Sequence, residues 1–127
     1  MNPNEITHEI IDAAYKVHTT LGPALLESLS ESALAWELDK KGLSFTRQQP
    51  IPVIYKSTPL GTGFNADLIV EDQIIIELKS VESLSTVHKR QLLTYLKLAD
   101  KRLGLLINFN VDLIKNGIAR IANNLPE

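Results

Sequence analysis

From Ile6 to Leu21 the apolar residues Ile6, Ile10, Ile11, Ala14, Val17 and Leu21 recur at helical spacing, and Leu21-Gly22-Pro23 supplies a stop. A second helix is predicted from about Leu25 to Lys41, burying Leu26, Leu29, Ala33, Trp36 or Leu34, and Leu38, with Gly42 placed to cap its end. The pattern then changes. Ser44-Phe45-Thr46 and Ile51 to Tyr55 are β-rich and punctuated by proline, as edge or short strands are. Phe64 to Val70 and Ile74 to Lys79 are apolar strand-like runs separated by Glu71-Asp72-Gln73, which predicts a hairpin. Ser85 can cap a third helix running to about Ala99, carried by Val87, Leu92, Tyr95, Leu96 and Leu98. Leu103 to Phe109 follows as a buried strand, Ile118 to Ala122 as a short final strand, and Asn123 to Glu127 as a frayed end. Two helices, a strand meander, a helix and a strand predict an α/β domain with one mixed sheet flanked by helices.

Three ionisable groups interrupt the central hairpin: Asp67 in the first strand, Glu77 and Lys79 in the second. A buried, unpaired carboxylate is costly, so these positions need solvent, a partner or a cation; an edge strand with one polar face would also accommodate them. Residues two apart on a strand share a face, so Glu77 and Lys79 point together. A two-residue turn at Glu71-Asp72 would pair position 67 with 76 and send Asp67 and Glu77 to opposite faces. A three-residue turn pairs 67 with 77. It also collects Asp67, Ile69, Ile75, Glu77 and Lys79 on one face and Ala66, Leu68, Val70, Ile74, Ile76 and Leu78 on a wholly apolar one. The cleaner segregation favours the three-residue turn. Two carboxylates then lie about 5 Å apart at their Cβ atoms and repel unless something positive stands between them. A hard divalent cation such as Mg²⁺ (or Mn²⁺) meets that demand with carboxylate oxygens, a backbone carbonyl such as that of Leu78, and waters. Lys79 beside it could orient or help deprotonate an attacking water, or stabilise charge on a phosphorane-like transition state.

Composition narrows the alternatives. The 127 residues contain no cysteine, which excludes thiol catalysis, zinc ribbons, iron–sulfur clusters and disulfide scaffolds. With 13 Lys+Arg against 15 Asp+Glu, the formal charge of −2 gives no general attraction to phosphate. A local basic run, Lys89, Arg90, Lys97, Lys101 and Arg102, is either a solvated helix face or a phosphate contact surface. His8, His18 and His88 are too scattered for a recognisable zinc site. His18 is expected to be structural, at its helix terminus, while His88 shares a helix face with Gln91 and opens the run His88-Lys89-Arg90, candidates for nucleic-acid contact. Ser28, Ser30 and Ser32 lack a paired histidine and acid, and Gly61-Thr62-Gly63 lacks the lysine and helix of a phosphate loop. No apolar run approaches the ~20 residues of a membrane span, and the first residues lack the regions of a signal peptide, so a soluble cytoplasmic protein is expected.

Several stretches together resemble the GxxExxY proteins, a small-domain family of the PD-(D/E)XK nuclease superfamily. They are Glu9-Ile10-Ile11, Val17-His18, Leu21-Gly22-Pro23, Leu26-Glu27-Ser28, Gln49-Pro50-Ile51-Pro52-Val53, Ala66-Asp67-Leu68 and Glu77-Leu78-Lys79, followed by His88, Gln91-Leu92-Leu93, Tyr95-Leu96-Lys97 and Gly104 to Phe109. The resemblance implies a single domain over 1–127 with a restriction-endonuclease-like αβββαβ core. It implies metal binding by Asp67, Glu77 and Glu27, a catalytic role for Lys79, and a site-shaping or phosphate-contacting role for Gln91. Glu31, one helical turn beyond Glu27, is expected to be an exposed charge. The eponymous motif departs from the family: Ala24 and Ser30 stand where the family has glycine and tyrosine, which puts substrate handling in question more than metal binding. Two functions follow: a Mg²⁺- or Mn²⁺-dependent nuclease acting on DNA, or a catalytically weak nuclease-fold module that binds nucleic acid or a protein partner. A homodimer would bring two sites to two strands.

Overall fold

The computed structural model describes residues 1–23 and 26–125. The predicted start of the second helix at Leu25, the Ala24 departure, and the last two residues of the predicted frayed end lie outside them. Helix α1 spans Pro3–Leu21, opened by Asn2 in a capping box with Glu5 and closed at Gly22, whose φ of 73° suits glycine. It is followed by α2 (Glu27–Lys40), β1 (Phe45–Tyr55), β2 (Thr58–Val70), β3 (Ile74–Lys79), α3 (Thr86–Ala99), β4 (Leu103–Asn108), a 3₁₀ turn and β5 (Ile118–Ala122). The strands form one sheet in the order β1-β2-β3-β4-β5. Only β3 and β4 pair in parallel, joined by the α3 crossover, so the sheet is mixed, as expected. No described helix is long and apolar enough to cross a membrane.

Two apolar layers enclose the sheet. On one face Ile6, Ile10, Ala13, Ala14 and Val17 of α1 and Leu34 and Leu38 of α2 pack on Leu68, Val70, Ile74, Ile76 and Leu78. On the other, Leu92 and Leu96 of α3 pack on Ile51, Ala66, Ile69, Ile75 and Leu106. Lys41 fixes the end of α2 to α1 through Glu9 at 2.8 Å and Asp12 at 2.5 Å. Asp12 is thereby held below the ordinary carboxylate range, chiefly by its hydrogen bond from Lys41.

Four expectations are corrected. First, α2 buries Ser30, Glu31, Leu34, Ala35 and Leu38, while Leu26, Leu29 and Trp36 face outward. Its buried stripe carries a glutamate, so apolar spacing alone selects the wrong face, and Glu31 is enclosed rather than exposed. Second, the two short strands are one 11-residue strand. Pro50 and Pro52 are accommodated because β1 is an edge strand, and the register shifts between Ile51 and Pro52. Strand β2 correspondingly begins at Thr58, after a two-residue turn in which Lys56 and Ser57 both have positive φ. Third, Asn123 is not frayed: it is buried, and its amide donates to the Lys101 carbonyl. Fourth, Ala66 packs on the α3 side with Ile69 rather than beside Leu68, because strand alternation breaks at Asp67.

Candidate active site

The turn between β2 and β3 contains three residues, and Val70↔Ile74, Ile69↔Ile75 and Leu68↔Ile76 are paired. That register sets Asp67 opposite Glu77. The regular ladder ends there, and the two carboxylates take over its hydrogen bonds. Asp67 Oδ2 accepts from the Leu78 N–H at 2.8 Å, and Glu77 Oε1 accepts from the Asp67 N–H at 3.4 Å. Strand separation and carboxylate pairing therefore have one cause: side-chain oxygens stand where backbone carbonyls would otherwise accept.

Glu77 is only 7% exposed. Burial, followed by the negative charge of Asp67, pushes its pKa up to about 8; the Asp67 N–H and the Lys79 charge oppose the shift. Lys79, two residues on, is partly buried and makes no ion pair within 4 Å among the described residues. From α3, Tyr95 approaches the same pair. Its phenol is shifted upward by burial and then by the charges of Glu77 and Asp67, and its ring stacks on Phe64 at 3.7 Å.

A cavity of about 380 Å³ on the α2 side is lined by Glu27, Ser28, Glu31, Gln48, Asp67 and Leu78. Glu27, at the first turn of α2, accepts from the Ser80 N–H at 3.0 Å. Glu31 accepts from Arg47 at 2.9 Å through Oε2 and from the Gln48 amide at 2.6 Å through Oε1. The same amide nitrogen donates to Asp67 Oδ1 at 3.0 Å. Ser30, where the resembled family has tyrosine, is 2% exposed, so a ring there would have to displace its neighbours.

The structure thus brings Asp67 and Glu77 together, with Lys79 next along the strand and Glu27 on the rim of the adjoining cavity. Among the described residues no three His, Asp or Glu side chains converge as a ready-made metal cluster. The donor set nevertheless fits a small hard cation, which needs only one or two carboxylates and takes the rest of its shell from water and substrate. Gln91, Lys89 and Arg90 lie exposed on the first turns of α3. Gln91 is one turn before Tyr95 on the same helical face. His88 acts structurally, since its Nδ1 accepts from the Ser85 N–H at 3.1 Å and so completes the α3 capping box. His18 serves a distant loop rather than its own helix end, with Nε2 bonded to the Val111 carbonyl at 2.7 Å.

The sequence pattern of the PD-(D/E)XK nuclease superfamily matches residues 4–121, a span that contains every one of these groups. The chain belongs to the PD-(D/E)XK nuclease superfamily. No curated protein and no solved structure matches it. The superfamily's αβββαβ order corresponds to α2, β1, β2, β3, α3 and β4, with α1 packed against α2 and β5 added at the far edge of the sheet. PD-(D/E)XK nucleases generally use divalent metals, in keeping with the paired carboxylates. Gln48 and the buried Glu31 escape a reading by motif: Gln48 belongs to no acidic pattern, and Glu31 looks like any surface helix charge.

Proposed function

We propose that this chain is a divalent-metal-dependent nuclease, using Mg²⁺ or Mn²⁺ to hydrolyse phosphodiester bonds of DNA. The observation that carries the reading is the juxtaposition of Asp67 and Glu77 on adjacent strands with Lys79 two residues further along. Asp67, Glu77 and the Leu78 carbonyl would hold the ion, and Glu27 would reach it from the α2 rim. When bound, the ion supplies electrophilic assistance at a phosphate and a nucleophile at neutral pH.

The protein's own groups perform the remaining work. Glu77 must give up its proton to bind, so loading releases a proton in the pH range below about 8. The Lys79 ammonium places fixed positive charge beside the carboxylates, where negative charge grows on a phosphate under attack. Tyr95, stacked on Phe64, stands on the α3 side of the carboxylate pair, where it would narrow the approach of water. Gln91, Lys89 and Arg90, exposed on the first turns of α3, would contact the nucleic-acid backbone, and His88 would add its outer ring nitrogen.

Cleavage of end-labelled single-stranded, duplex and branched DNA with Mg²⁺ or Mn²⁺, wild type beside Glu77→Ala, tests the reading. Metal-dependent cutting lost in the variant is expected, with 5′-phosphate ends. Metal binding without cutting would instead favour the nucleic-acid-binding module, for which net acidity and the altered α2 motif speak. Retained cutting by the variant would place the activity elsewhere.

A further inference from the structure

We propose that Gln48 is a positioning residue for this metal site, fixing Asp67 to α2 through a single amide; the inference rests on the nuclease reading above. Its Nε2 donates to Asp67 Oδ1 at 3.0 Å and to Glu31 Oε1 at 2.6 Å, using both amide hydrogens. Glu31 is held in turn by Arg47, whose Nε lies 3.0 Å from Oε2. Adjacent residues of a regular strand point to opposite faces, so Arg47 and Gln48 could not both reach one carboxylate from an ordinary β-strand. They do so because Gln48 has a φ of 49°. The β1–β2 register passes from Arg47↔Leu68 to Gln49↔Ala66 across this kink. Left-handed backbone at a residue other than glycine is strained, and such strain persists where surrounding contacts enforce it.

The consequence for Asp67 is chemical. Its Oδ1 takes the Gln48 amide and its Oδ2 takes the Leu78 N–H, so both oxygens are oriented. A carboxylate offers about four lone-pair directions, which leaves one on each oxygen for a cation. Because Gln48 is neutral, it orients Asp67 without supplying the positive charge that the cation must bring. An ammonium at the same place would compete with the ion.

The test uses the full chain, with Mg²⁺ alone as the probe in calorimetry, and compares wild type, Gln48→Gly, Gln48→Ala and Asp67→Ala. Glycine suits positive φ, so Gln48→Gly removes the amide while relieving the backbone. Both Gln48 variants are expected to bind Mg²⁺ about 10–100-fold more weakly, the range found when a partner of a metal ligand is lost. The urea midpoint of Gln48→Gly stays at or above that of Gln48→Ala. In wild type the Gln48 side-chain amide resonances, assigned by their loss in the variants, shift as Mg²⁺ is added. Wild-type affinity in both variants overturns the proposal, as does affinity that falls only in step with the urea midpoint. If wild type binds and Asp67→Ala does not, the metal-site reading stands whatever Gln48 shows. If wild type itself takes up no Mg²⁺, both the reading and the proposal fall.

Discussion

Replacing Glu77 with glutamine should make the metal-free protein more stable at alkaline pH, by an amount that grows with pH. A carboxyl group whose folded pKa exceeds its unfolded value binds protons more tightly in the folded state. Stability is therefore complete below the unfolded pKa and declines as pH rises through the folded one. For Glu77 the window runs from 4.5 to about 8. Each unit is worth about 1.4 kcal/mol, so the cost relative to an unshifted carboxylate is about 3 kcal/mol at pH 7 and about 5 kcal/mol at pH 9. Glutamine cannot ionise, yet its carbonyl can still accept from the Asp67 N–H. Urea unfolding of both proteins in EDTA, at intervals from pH 4 to pH 9, measures the difference. The advantage of Glu77→Gln should rise by several kcal/mol across that window and level off above it. A difference in stability that is flat with pH would refute the account, because neither burial nor the Asp67 charge could then be acting on a titrating Glu77. Added Mg²⁺ should reverse the order, stabilising wild type and leaving the variant unchanged.

Lys79→Met should lower the rate of DNA cleavage by about 100-fold or more while retaining the heat of Mg²⁺ binding, if the ammonium acts on developing charge; single-turnover kinetics beside calorimetry separate the two. Asn108→Leu removes an amide that pairs with both the N–H and the carbonyl of Val81, at 3.1 and 2.8 Å. The Val81 N–H is then left unpaired, at a cost of about 1–3 kcal/mol, while its carbonyl keeps the Asn110 amide at 3.4 Å, and hydrogen exchange should quicken at Val81. Gly117→Ala would drive a Cβ into the Asn108 carbonyl oxygen, so a loss of stability of about 1–3 kcal/mol or more is expected, read as a lower melting temperature.

The sequence carried the fold wherever local chemistry and tertiary demand agree. Helix α3 could be read because Ser85 caps it and Leu92 and Leu96 recur at one turn. The β2–β3 turn could be read because only one length separates charged from apolar positions. Helix α2 could be read as a helix but its buried face could not, since Glu31 occupies that stripe on the strength of Arg47 and Gln48, partners brought in from another element. Strand β1 was obscured by prolines that only an edge position tolerates. Asp67, Glu77 and Lys79 were legible as charges in apolar strands. The contribution of Gln48 was not, because it depends on a backbone kink that no short pattern encodes.

The two hairpins differ in the change of length they can absorb. Deleting or adding one residue between Val70 and Ile74 would turn β3 over, exchanging Glu77 and Lys79 with Leu78 and setting charges into the α1–α2 core. The tip of β1–β2 is different: residues 54–63 are exposed throughout. Insertions there leave the site intact, so that arm is where the chain can diversify in length and acquire new contacts while its chemistry stays in place.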